Sequence, residues 1–184
     1  DDMALEVRGA APGLGKTQTA LRVIAEHGPQ LLARGNVLVH VPTLELAEEA
    51  QAEFAKIAPH LPSAVIRGRS AARPDREGPM CERHDLASRL AKLTPFVSRA
   101  LCADEEGNRA PCFDGCPYLA QRTVPGARVL FLSHAYLLPD PPIDREVTVA
   151  LRVIDEACWP ELARPWAISA DQLLPASAPL APPY

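Results

Sequence analysis

Three sets of side chains in this sequence are spaced for chemistry. The first is Gly9-Ala10-Ala11-Pro12-Gly13-Leu14-Gly15-Lys16-Thr17, set between a short apolar run, Met3 to Val7, and a helical pattern, Gln18 to Ala33. In a strand–turn–helix context, glycines let backbone N–H groups close around phosphate oxygens, and the helix N-terminus adds a positive partial charge. Residues Ala11, Pro12, Gly13, Leu14, Gly15, Lys16, Thr17 and Gln18 are therefore expected to wrap the phosphates of ATP. Lys16 would reach the terminal phosphates and the Thr17 hydroxyl would hold Mg²⁺. The second set is Asp155-Glu156, directly after the apolar run Leu151 to Ile154. An acidic pair at the carboxyl end of a strand suits the other half of a phosphate site. Asp155 would hold Mg²⁺ through water, and Glu156 would orient or deprotonate the attacking water. The catalytic expectation is thus Lys16, Asp155 and Glu156; the alternatives are a loop that is merely glycine-rich and a solvated strand-end pair.

The third set is Cys81, Cys102, Cys112 and Cys116, spaced C-x20-C-x9-C-x3-C. This is not the paired C-x-x-C of a zinc ribbon. Four thiolates gathered from loops still suit either a [4Fe–4S] cluster or Zn²⁺. His84, close to Cys81, offers a nitrogen that would favour zinc, and four unconnected thiols is the plain alternative.

The elements that must position these groups follow from pattern. Leu5–Arg8 reads as a buried strand, 17–33 as a helix ended by Gly35-Asn36, and Val37 to Val41 as a buried parallel strand. His40 within it reads as a satisfied core or strand-end histidine, with a functional role as the alternative. Leu44 to Ile57 reads as a helix with Thr43 as N-cap, and Ala64 to Ile66 as a third strand. The stretch 68–122 lacks strand–helix alternation and is too long for a simple connection, so it reads as an inserted subdomain. Arg128 to Leu132 and Val147 to Ile154 read as strands, with a short helix to Leu138 after the first. The expected fold is α/β: a parallel sheet with helices on both faces, built from 1–67 and 123–170, plus the insertion and a proline-rich, flexible tail, 171–184.

Net charge is −4 over 184 residues, so nucleic-acid contact would have to rest on a local surface. Residues 67–122 carry ten Lys/Arg against eight Asp/Glu. Arg67, Arg69, Arg73 and Arg76 are candidate phosphate contacts, with a solvated loop as the alternative. Phe96, Phe113 and Tyr118 offer rings for base stacking, although core packing is the ordinary use of each. No signal peptide and no apolar run near ~20 residues is present, so an intracellular, non-membrane protein is expected, cytoplasmic or nucleoid-associated.

Taken in order, these motifs resemble a known family. A-x-x-G-x-G-K-T over Ala10 to Thr17 is similar to motif I of superfamily 1 and 2 helicases. Pro42-Thr43 before a helix resembles motif Ia, and Asp155-Glu156-Ala157-Cys158 resembles the D-E-x-x box, with Cys158 where many members carry His. Arg67-Gly68-Arg69, the four cysteines, Cys116-Pro117-Tyr118 with Arg122, and Ser133-His134 before Leu137-Leu138 resemble the iron–sulfur branch of superfamily 2. That branch is typified by xeroderma pigmentosum group D and damage-inducible G helicases. The Asn-Tyr usually found before the first cysteine is absent here.

The resemblance implies a RecA-like P-loop NTPase domain, a [4Fe–4S] cluster on the four cysteines, and single-stranded DNA or a duplex junction as partner. Thr43, Arg67 and Arg69 would lie on the nucleic acid. It further implies the first motor domain only, since nothing after residue 158 resembles the second RecA-like domain that completes such a motor. The alternative reading is a P-loop nucleotide-binding module whose zinc-stabilised insertion docks DNA or a protein without unwinding.

Overall fold

The computed structural model describes residues 15–94, 96–104, 106–137, 139 and 141–156. The expected strand Leu5–Arg8, the loop residues Ala11, Pro12, Gly13 and Leu14, Cys158 and the tail 171–184 lie outside the described residues. Asn36–Val41 is the centre of the structure. It alternates Val37, Val39 and Val41 on one side with Leu38 and His40 on the other, and all six of its residues are buried. A strand buried on both sides needs a neighbour along each edge. This strand, β1, pairs in parallel with Val129–Ser133 (β3) and Val149–Ile154 (β4), while β3 also pairs in parallel with Ser63–Val65 (β2). The described sheet is four-stranded and all parallel, in the order β2-β3-β1-β4. The chain is therefore an α/β fold.

Two long helices cover one face. Helix α1, Lys16–Leu32, brings Leu21 and Ile24, and helix α2, Leu44–Ile57, brings Ala47, Ala50 and Phe54. These pack on Val37, Val39, Val41, Val129 and Phe131, with the Phe54 and Phe131 rings 5.8 Å apart and tilted. Thr43 caps α2 as expected, its hydroxyl accepting the Leu46 N–H at 3.3 Å. Helices on both faces were expected, and the described residues show long helices on one face. The opposite face, Leu38, Leu130 and Leu132 with Ile66, is covered by Tyr136 and Ile143. Among the described residues no long helix lies there. Tyr136 belongs to a 3₁₀ turn, His134–Tyr136; Leu138, where the expected helix ends, lies outside the described residues.

Strand β4 begins two residues later than its pattern suggests, because Thr148 is used otherwise. Its carbonyl accepts the Asn36 N–H at 2.7 Å and its hydroxyl donates to the Arg34 carbonyl at 2.6 Å. Gly35, at φ +148°, permits this passage; a Cβ there would run into the Thr148 carbonyl oxygen. The register between β1 and β4 shifts at this point, between Asn36 and Val37.

Between β2 and β3, residues 67–122 hold three short helices: α3, His84–Leu90; α4, Val97–Leu101; and α5, Pro117–Ala120. They pack into two small clusters of their own, one around Met80, Cys81, Cys116 and Tyr118, the other around Ala87, Leu101 and Cys102. Among the described residues no helix is long and apolar enough to cross a membrane.

Candidate functional site

All four described strands run the same way, so their carboxyl ends share one edge. Asp155 follows β4 there, His134 follows β3, and Pro42-Thr43 follows β1. Helix α1 feeds the opposite end of β1 through Gly35, so the start of α1, with Lys16 and Thr17, returns to the same edge. Gly15 precedes it as N-cap in left-handed backbone, φ 66°, and has no side chain with which to cap the helix. Lys16 and Gln18 are exposed and Thr17 is half-buried.

Thr17 and Asp155 meet. The Thr17 hydroxyl donates to Asp155 Oδ2 across 138 residues of sequence. The Asp155 backbone is held from two sides: its N–H donates to the His40 carbonyl at 2.9 Å, and its carbonyl accepts the His134 Nε2–H at 2.9 Å. Asp155 Oδ1 accepts the Glu156 N–H at 3.0 Å. Glu156 is exposed and sits in left-handed backbone, φ 63°, which is uncommon for a residue with a side chain. Sequence reasoning did not assign His134 this role. Its only signal was a histidine at the end of a strand, and what it reaches depends on strand order.

His40 is fully buried, as expected of a core histidine, but it is not satisfied. Neither ring nitrogen has a partner of hydrogen-bond geometry among the described residues. Burial, with Arg152 and His134 nearby, lowers its pKa to about 4; a nearby Ser133 backbone group pulls weakly the other way.

The four cysteines are free thiols that line one small cavity of about 10 Å³ together with Arg83, Leu101, Ala110, Phe113 and Leu119; no carboxylate lines it among the described residues. Cys81, Cys102 and Cys116 are buried and Cys112 half-buried. Arg69 donates from one guanidinium nitrogen to both Cys81 Sγ and Cys102 Sγ at 3.5 Å, and from the other to Ser98 Oγ at 2.8 Å. The same guanidinium lies 4.1 Å over the Tyr118 ring. Burial raises the Cys116 thiol above its ordinary range, with Cys81 and Cys102 adding to the effect. Thiolates are the donors that a soft metal or an iron–sulfur group takes. Among the described residues, however, no three His, Cys, Asp or Glu side chains are drawn together around a single ion position. His84, offered as a replacement ligand, does not line the cavity; its ring sits 3.4 Å from Asp85.

The expected nucleic-acid contacts separate. Thr43 is at the carboxyl edge, exposed, and engaged as a cap. Arg67 is paired with Glu48 at 2.7 Å, and its backbone is clamped by Gln121. Arg69 turns inward to the thiols rather than outward. Arg73 is forked onto Asp75, while Arg76 is exposed. Of the rings, Tyr118 is buried, Phe113 half-buried under Arg109, and Phe96 exposed. Compared with known proteins, the chain matches no family model, no curated protein and no solved structure.

Proposed function

We propose that this chain is the first, RecA-like motor domain of an ATP-dependent DNA helicase of the iron–sulfur branch of superfamily 2. It would bind Mg–ATP at the carboxyl edge of the sheet, contact single-stranded DNA or a duplex junction, and work with a second RecA-like domain. The observation that carries this reading is the hydrogen bond between Thr17 and Asp155. A hydroxyl opening a helix after a glycine-rich loop, set against a carboxylate at a neighbouring strand end, is the pair that holds Mg²⁺ beside a triphosphate. The N-terminus of α1, which follows a glycine N-cap, offers N–H groups to phosphate oxygens. Lys16, exposed at its start, meets the terminal phosphates.

Thr17 and Asp155 would hold the metal, which when bound neutralises charge on the β- and γ-phosphates. Glu156 positions water and takes its proton as the water oxygen bonds to the γ-phosphorus and the β–γ bridging bond breaks. Titration of the chain with a fluorescent ATP analogue, with and without magnesium, tests the reading. Binding strengthened by magnesium and lost in Lys16→Ala is the expected result; binding indifferent to both refutes it.

Cys81, Cys102, Cys112 and Cys116 would hold a [4Fe–4S] cluster, which supplies cross-links between loops whose two apolar clusters are small. The purified chain is then expected to be brown, with absorbance near ~400 nm and about four irons per chain. A colourless protein with one zinc points instead to the nucleotide-binding module without unwinding.

A further inference from the structure

The peptide that joins Asp155 to Glu156 is held at both of its polar atoms. Its carbonyl oxygen accepts the His134 Nε2–H at 2.9 Å, and its N–H donates to Asp155 Oδ1 at 3.0 Å. A carbonyl can only accept, so the His134 ring carries a proton on Nε2. The ring is buried, 4% exposed, and has little room to swing away. The turn that carries it, His134–Tyr136, is itself anchored. The Leu137 N–H donates to the His134 carbonyl at 2.9 Å, and the Tyr136 hydroxyl donates to the Arg67 carbonyl at 3.3 Å. Directly after the clamped peptide, Glu156 stands at φ 63°. Left-handed backbone is unfavourable for a residue with a Cβ and persists where its surroundings impose it. Rotating the Asp155–Glu156 peptide would relieve Glu156, and the bond from His134 opposes that rotation.

We propose that His134 is a positioning residue for Glu156. By fixing the peptide plane it holds the exposed Glu156, against its own backbone preference, at the carboxyl edge beside Asp155. This deepens the motor-domain reading and rests on it. There Glu156 takes the proton of the attacking water, and a base displaced by about 1 Å lowers the rate roughly 100-fold. The metal pair is held separately. Thr17 reaches Asp155 through Oδ2, and the Asp155 N–H is tied to the His40 carbonyl; neither contact passes through His134. Loss of the ring therefore acts on turnover and spares nucleotide binding.

Comparison of His134→Leu and His134→Gln with the full 184-residue parent tests it. Leucine removes the donor, and glutamine returns an N–H at about the reach of Nε2. In single-turnover ATP hydrolysis with saturating magnesium, His134→Leu is expected to lose roughly 10- to 100-fold in rate. Its half-saturating ATP concentration should move by less than about threefold. His134→Gln should recover most of the rate. Amide hydrogen exchange reads the same tie without nucleotide, and decides even where turnover is too slow to follow. The Glu156 N–H of His134→Leu should exchange roughly fivefold faster than the parent's, as for loss of one ordinary hydrogen bond, while the β1 amides keep their protection. Unchanged exchange at Glu156 overturns the proposal, as does a leucine variant with the parent's turnover or a glutamine variant as impaired as the leucine one. Exchange that rises in β1 as much as at Glu156 also overturns it, because the ring then only fills space. Should the leucine variant not fold, the ring-nitrogen spectrum of the parent decides: a proton on Nε2 is expected, and a bare Nε2 overturns the proposal. The magnesium-dependent ATP titration of the parent judges the motor reading separately.

Discussion

An Asp155→Asn chain is expected to bind an ATP analogue equally weakly with and without magnesium, and to unfold at nearly the parent's denaturant midpoint. The two outcomes separate because Asp155 is positioned by its backbone. Its N–H and carbonyl are engaged by His40 and His134 whatever the side chain. Asparagine keeps an acceptor for the Glu156 N–H and a polar partner for Thr17, so little packing changes. What disappears is the negative charge. An interaction with a charged group contributes about 1.5–3 kcal/mol, a loss of roughly 10- to 150-fold in magnesium-dependent affinity. Thr17→Val should lose less, since it removes a neutral ligand and leaves the carboxylate. If Asp155→Asn retains the parent's magnesium dependence, the hydrogen bond between Thr17 and Asp155 is only a structural tie between α1 and β4.

That tie was legible in the sequence for a specific reason. A glycine-rich turn before a helix and an acidic pair after an apolar strand each fix a local geometry, and parallel pairing brings both to one edge. Helix α2 was legible too: Leu44–Ile57 carries its own apolar period and its own cap, Thr43. The failures arise where partners are set by tertiary packing. The sequence shows that Arg67 and Arg69 have phosphate-binding chemistry, but not that Glu48 and two thiols stand within their reach. The position of His134 beside Asp155 follows from β3 and β4 flanking β1, an order that no local pattern contains. Helices α3, α4 and α5 are too short to show a period, so the 67–122 segment read as irregular. Helices on both faces were expected of the fold class, and among the described residues a turn and the Ile143 segment bury Leu38 and Leu132 instead.

The same central strand makes the fold sensitive to acid through His40. Its ring is fully buried on the Leu38 side of β1, without a hydrogen-bond partner among the described residues, and near Arg152 and His134. Burial, reinforced by those two groups, holds the folded-state pKa at about 4, against 6.5 for the free side chain. As pH falls below about 6.5 the unfolded chain gains a proton here that the folded chain does not, so stability declines until the folded pKa is passed. A depression of this size corresponds to about 3 kcal/mol, lost between roughly pH 6.5 and pH 4, a large share of the 5–15 kcal/mol typical of a domain. Exposed carboxylates such as Asp75 and Asp104, whose pKa values are lowered by Arg73 and Asn108, also weaken the fold on acidification, so the parent's profile alone does not isolate His40. Comparison with His40→Leu does. Leucine suits an apolar site and leaves no unsatisfied ring nitrogen, while His134 and every carboxylate remain. Denaturant unfolding at a series of pH values should show the parent losing about 3 kcal/mol relative to the variant between pH 7 and pH 4. Parallel profiles for the two chains would mean that the His40 ring finds a proton acceptor in the folded state, and the buried, unpaired histidine would have to be abandoned.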